Sequence, residues 1–288
     1  SFPTRRSSDL LRAIETRGNP FGPAEDRVGW SEGLNVPILA EGDEVEILYW
    51  IGCISAYDKR KQSIARSMVK ILNASGMSWG ILGNRECCTG DPARRLGEEN
   101  LFQTSAKKSI EVLRTVSFST VVANCPHCFN SIKNEYPDIG EIAPGRPVRV
   151  IHHTQLIDEF LKNGKIATNS TLTEDITFHD PCYLGRYNDT YDEPREVLVQ
   201  LGRAKALKPV EMAQNREKGK CCGAGGGHFW MDLKIGERVN VQRVEQAAAT
   251  GAKKVATACP FCMHMLEDGL KLTDRDDSME VLDIAELV

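Results

Sequence analysis

Val121-Val122-Ala123-Asn124-Cys125-Pro126-His127-Cys128 is followed, 134 positions later, by Val255-Ala256-Thr257-Ala258-Cys259-Pro260-Phe261-Cys262. Each reads as a short apolar strand running into Cys-Pro-x-Cys, with Pro at the first position of a helix. The same spacing extends outward. Cys87-Cys88 lies 38 positions before Cys125, and Cys221-Cys222 lies 38 before Cys259. Single cysteines precede both pairs, Cys53 and Cys182, at an offset of 129. Beyond the second cysteine, Val150-Ile151 with Gln155-Leu156 matches Val281-Leu282 with Glu286-Leu287. All ten cysteines fall into this doubled pattern, so an internal duplication of domain size is expected.

Strand and helix signals alternate around the cysteines. Residues 45–51 (VEILYWI) read as a buried strand ending at Gly52-Cys53. Residues 61–72 carry Ile64, Met68 and Ile71 at helical spacing, Asp91-Pro92 starts a helix, and 105–116 continue as helix. Residues 120–123 then form the strand entering Cys125. In the second half, 176–178 are a strand before His179-Asp180-Pro181-Cys182, 194–201 a helix stopped by Gly202, 239–249 a helix, and 254–257 a strand. Such alternation implies βαβ units. The expected fold is α/β, two pseudo-symmetric small parallel-sheet domains, with ligands beyond the carboxyl ends of the strands, where the cysteines fall. Linker signals occur at 137–147 and 163–174, and the boundary is placed in the second, giving 1–43 as start and connector, 44–168 as first domain and 169–288 as second.

Composition narrows the function. With 36 basic and 40 acidic residues in 288, net charge −4, a broad nucleic-acid footprint is not expected. No apolar run approaches a membrane span, and no export signal opens the chain. The first ten residues, SFPTRRSSDL, lack an apolar period and resemble a translated sequencing adapter, so the natural reading frame is expected to begin near Leu11.

Soft thiolates select zinc, copper(I) or iron–sulfur clusters. Cysteines in the first turn of a helix sit near free amide N–H groups, which favour the thiolate. Adjacent cysteines point apart and suit two metal atoms of a cluster, and five ligands exceed the four of a structural zinc site. Cys222 opens Gly223-Ala224-Gly225-Gly226-Gly227, where Gly223, Gly225 and Gly226 are candidates for wrapping backbone N–H groups around an inorganic core. His228 breaks G-x-G-x-x-G, so this is not read as a dinucleotide loop. Zinc remains the alternative in one half, as C-x-x-C is a common zinc element. His127 is a candidate donor to a cluster sulfur, His179-Asp180 a backbone-orienting pair, and His228 with Trp230 either an opening or a core cap. Lys59-Arg60-Lys61 and Lys107-Lys108 read as solvated faces.

The pattern Cys, Cys-Cys, Cys-x-x-Cys, with CCTGDPARRLGEE (87–99), HDPCYLGRYN (179–188) and CCGAGGGHFWMD (221–232), resembles the cysteine-rich CCG domain of iron–sulfur oxidoreductases related to the heterodisulfide reductase B/D subunits. The resemblance covers 44–288. It implies two [4Fe–4S] clusters, of the non-cubane type found in those reductases. Cys53, Cys87, Cys88, Cys125 and Cys128 would hold one, and Cys182, Cys221, Cys222, Cys259 and Cys262 the other, with the two lying together. It further implies electron transfer to a disulfide, a quinone or another carrier. The implied partners are a ferredoxin-like module, upstream or in a separate subunit, and a flavoprotein or other electron donor. The implied location is cytoplasmic, including the membrane's cytoplasmic face. Residues 11–30 resemble the connector that follows the ferredoxin-like module. One departure is Thr89-Gly90 after the first pair, where the second has Gly223 directly. An electron relay without its own substrate, and a duplicated zinc module that holds partners, are the competing functions.

Overall fold

The computed structural model describes residues 7–21, 26–167, 172, 174–203, 208–231 and 236–288. The chain divides into two compact units, Ser1–His153 and Thr154–Val288. The expected boundary at 168/169 lies outside the described residues. The other linker signal, 137–147, belongs to the interior of the first unit: it follows a 3-10 turn at Tyr136–Asp138 and buries Ala143.

The first unit is built on a parallel sheet of order β2-β1-β3-β4, comprising β1 (Glu44–Trp50), β2 (Trp79–Gly80), β3 (Ser117–Ala123) and β4 (Arg149–His152). The last four residues of β1 and of β3 are buried, so both central strands enter the core as they approach their cysteines. The helix α3 (Gln62–Ser75) buries Ile64, Met68, Ile71 and Leu72 on one face and ends at Gly76, φ +69°. Two expectations need correction here. The helix expected at 105–116 is α5, Glu99–Leu113, starting one and a half turns earlier. Lys61 is buried, because the turn at Asp58 folds its backbone N–H onto the Asp58 carboxylate. Of the first ten residues, 1–6 lie outside the described ones. The helix α1 (Ser7–Arg17) buries Leu10, Ala13 and Ile14 and packs on α5 and on α4 (Asp91–Arg95).

The second unit repeats the design. Its sheet has the order β5-β6-β7, from β5 (Ile176–Phe178), β6 (Lys254–Thr257) and β7 (Glu280–Asp283), again all parallel. On the far side of β5, Val210 makes a parallel bridge to Thr177, in the place that β2 takes beside β1. β4 runs directly into α7 (His153–Lys162) and β7 into α11 (Ile284–Leu287), which is the match seen between 150–156 and 281–287. The helix expected at 194–201 is α8 (Asp192–Gly202), which buries Val197, Leu198 and Leu201 and touches α11. The fold is therefore mixed α/β with two parallel sheets in duplicated order. Among the described residues no helix is long and apolar enough to cross a membrane.

Candidate metal centre

In both units the single cysteine and the Cys-Pro-x-Cys follow neighbouring parallel strands. In the first, Cys53 begins α2 (Cys53–Tyr57) just after β1, and Cys125 is the N-cap of α6 (Pro126–Asn130) just after β3. Gly52 has φ +75°, and a Cβ there would come within 3.3 Å of Cys128 Sγ and 3.8 Å of Cys125 Cβ. Only glycine lets the end of β1 lie this close to the second cysteine pair. The adjacent pair arrives from the loop beyond β2, and the Cys88 N–H donates to Gly18 O at 2.6 Å. Cys53 and Cys88 share a hydrogen bond, as do Cys125 and Cys128. Cys87 lies 3.3 Å from Ser109 Oγ.

The thiols of this quintet differ in acidity. The bond to Cys88 and the Arg27 charge outweigh burial and bring Cys53 down to about 7. Cys88 is pushed well up by its bond to Cys53 and by burial, Cys128 by its bond to Cys125 and by burial, and Cys87 by burial. Arg27 Nη1 donates to Cys53 Sγ at 3.5 Å, and its Nη2 pairs with the buried Glu86 carboxylate. Glu86 also accepts from the N–H groups of Ile51 (3.0 Å) and Gly52 (2.8 Å). A buried cation is thus fixed against the first cysteine by a carboxylate that also anchors the strand end.

In the second unit the thiols form a chain of contacts. Cys182 bonds Cys221, Cys221 bonds Cys222, Cys222 bonds Cys262, and Cys262 bonds Cys259. Cys221 is strongly acidified by Cys182 and Cys222, with further help from the N–H groups of Gly223 and Gly225; Cys182, Cys222 and Cys262 are pushed up. Gly223 N lies 3.2 Å from Cys221 Sγ and has φ +94°. Gly226, φ +64°, is exposed with open space around it. Cys259 is the N-cap of α10 (Pro260–Leu272). Phe229 and Phe261 meet edge-on at 4.8 Å and pack over Cys222, Cys259 and Cys262. Trp230 is buried edge-on to Phe229, which makes it part of the core cap, while His228 is exposed.

Two of the histidines named from sequence have these partners. His127 Nδ1 meets Asp91 Oδ2 at 2.9 Å, so this nitrogen is engaged by a carboxylate at the start of α4. The His179 side chain accepts from Arg243 Nε at 2.9 Å, whereas it is Asp180 that engages backbone, at Arg216 N–H (2.8 Å), together with the Arg195 guanidinium. Arg27, Glu86 and Arg243 were not singled out from sequence. Arg243 did leave a signal: it occupies the face of α9 (Val239–Ala248) that also buries Asn240, Val244 and Ala247. Arg27 lies in a segment with no period and left none.

All ten cysteines are in the thiol form, seven of them buried and three half-buried. Each unit thus assembles soft sulfur donors in an interior shielded from water, with more donors than one tetrahedral ion accepts. The donor set fits an iron–sulfur group.

Comparison with known proteins agrees. The family model of the cysteine-rich CCG domain matches twice, at 47–133 and 176–267. A Bacillus subtilis protein named "Probable iron-sulfur-binding oxidoreductase FadF" is 43% identical over 99% of this chain and 41% of that protein. The EtfAB:quinone oxidoreductase of Syntrophomonas wolfei is 35% identical over 96% of this chain and 39% of that protein. One subunit of the dihydromethanophenazine:CoB–CoM heterodisulfide reductase of Methanosarcina barkeri is 30% identical over 99% of this chain and 68% of that protein. The chain spans about two fifths of the length of the first two. Among solved structures a glutamate racemase of Bacillus anthracis overlays with TM-score 0.36 at 13% identity, covering 86% of this chain and 79% of that one, too low an overlap to define a shared fold. With the motif matched in both halves, the chain belongs to the cysteine-rich CCG domain family, whose relatives here are named as iron–sulfur oxidoreductases and heterodisulfide reductase subunits.

Proposed function

We propose that this chain is the electron-transferring part of an iron–sulfur oxidoreductase, with one [4Fe–4S] cluster held by each cysteine quintet. The observation that carries the reading is the packing of cysteines at the strand ends: Cys222, Cys259 and Cys262 share one buried cluster with Cys221 against it, and in the first unit a Cβ on Gly52 would lie 3.3 Å from Cys128 Sγ and 3.8 Å from Cys125 Cβ. A cluster bound there supplies reversible one-electron transfer. The residues do the rest. Cys53 and Cys221, both held below the usual thiol value, are ready to ligate as thiolates. Gly223 and Gly225 turn N–H groups toward Cys221 and stabilise sulfur charge. Phe229 and Phe261 exclude water over the second set.

The relatives' names support a flavoprotein on the donor side and a quinone or a disulfide on the acceptor side. A ferredoxin-like module, in the same chain or a separate subunit, would connect the two, and with a quinone acceptor the work would take place at the cytoplasmic membrane face. Two one-electron centres suit either acceptor, since quinone and disulfide each take up two electrons and two protons.

Anaerobic reconstitution followed by metal and acid-labile sulfide analysis tests the proposal. About eight iron and eight sulfide per chain, with broad visible absorption, are expected for two such clusters. A colourless protein containing zinc and no sulfide would instead make it a binding module.

A further inference from the structure

His179 lies between β5 and Cys182, 1% exposed, and one of its ring nitrogens lies within 4.8 Å of both Cys222 Sγ and Cys262 Sγ. Such a trio resembles a mixed Cys/His metal site. The second contact of the ring rules that out. Arg243, also fully buried, directs its Nε at His179 Nδ1 over 2.9 Å. A guanidinium is always protonated and only donates, so Nδ1 must offer its lone pair. A ring that accepts at Nδ1 from a guanidinium carries no proton there, so it is neutral. A neutral ring with Nδ1 as acceptor carries its single proton on Nε2. That Nε2 is buried and has no partner among the described residues. An orphaned buried donor costs about 1–3 kcal/mol, so its retention beside a group of sulfurs calls for an acceptor there.

We infer that His179 is not a metal ligand but a fixed N–H donor to the sulfur of the second centre, and that Arg243 is the positioning residue that locks its tautomer. The inference rests on the iron–sulfur reading above and deepens it. A hydrogen bond to cluster sulfur favours the reduced, more negative state, so His179 raises the potential of the second centre alone. No proton leaves the ring during the redox cycle.

The test uses the full 288-residue chain, reconstituted and assayed for iron and sulfide before any comparison. Redox titration of His179→Leu is expected to move one of two one-electron waves to lower potential, with a roughly tenfold smaller reduced fraction at fixed potential (~59 mV). His179→Gln, which keeps an N–H, is expected to restore part of the shift. Pulsed magnetic resonance on reduced protein carrying 15N-histidine needs no substitution and is expected to show a weak nitrogen coupling. A strong coupling of the directly bonded kind would make His179 a ligand, and unmoved waves or no coupling would remove it from the centre; each overturns this inference and leaves the cluster reading standing. Absence of iron and sulfide from the unsubstituted protein overturns both.

Discussion

The two halves place five cysteines on the same parallel scaffold and then surround them differently. In the first, charge comes to the sulfur: Arg27 is buried against Cys53, balanced by Glu86. In the second, dipoles touch the sulfur and the charge stands behind them: the N–H groups of Gly223 and Gly225 reach Cys221, and the buried Arg243 cation lies behind His179. Trp50 stands in the first half where His179 stands in the second, three residues before the leading cysteine, and its buried indole N–H has no partner among the described residues. A full positive charge and a set of partial ones stabilise a reduced centre to different degrees. On the proposed reading, duplication would supply two sites of one architecture, and substitution around them would set two potentials.

The largest expected effect separates the halves outright. Cys88→Ser should abolish the first centre and Cys222→Ser the second, each lowering iron from about eight to about four per chain while the other half keeps its signal. Loss of all iron from either variant would mean the halves do not load independently. Next comes Arg27→Met. It strands the Glu86 carboxylate, whose side chain is 1% exposed, and a broken buried pair costs about 3–5 kcal/mol, readable as a lower urea midpoint. Arg27→Met/Glu86→Gln should recover most of it. In redox titration the same single variant should lower only the first centre's potential. A shift in both waves would erase the contrast between charge and dipole.

These features differ in how plainly they were written in the sequence. β1, α3, β5 and β6 stand within a few residues of their expected spans, because each is a short buried run or one amphipathic face with clear ends. The doubled pattern of cysteines was legible from spacing, since an offset of 134 superposes four of each five and 129 the fifth, while their grouping into two ligand sets follows from the family resemblance. What surrounds them was not. Arg27 reaches Cys53 across 26 positions of irregular chain, and no local pattern encodes such a contact. His127 finds its Nδ1 partner in Asp91, 36 residues away, a contact that no local pattern announces. Lys61 looked like a solvated charge because its burial depends on the turn at Asp58 and not on its neighbours in sequence. Adjacent residues specify strand ends and ligands, and tertiary contacts specify what tunes them.

The smaller effects concern the loops after the adjacent cysteines. Gly223 follows its pair directly at φ +94°, and a Cβ there would sit 3.3 Å from Val239 Cβ. Gly223→Ala should cost about 1–2 kcal/mol for the left-handed backbone, with further loss from the contact. Gly226→Ala, with open space around it, should cost the backbone's about 1–2 kcal/mol and nothing more. In the first half the left-handed glycine comes one residue later, at Gly90, and the loop is clamped by Asp91, which binds His127 and Arg95. Burial alone would raise the Asp91 pKa, but the His127 and Arg95 charges and hydrogen bonds outweigh it and hold it below 3.8. A carboxylate with a depressed folded pKa stabilises above its unfolded value and loses that stabilisation as pH falls through the folded one. Asp91→Asn should therefore cost about 1.5 kcal/mol near pH 6, and the difference from the unsubstituted protein should close as pH drops below 3.8. Gly223→Ala should show no such closure, because its cost lies in backbone geometry and titrates with nothing. Parallel pH profiles for the two variants would mean that both loops are held by the same kind of force.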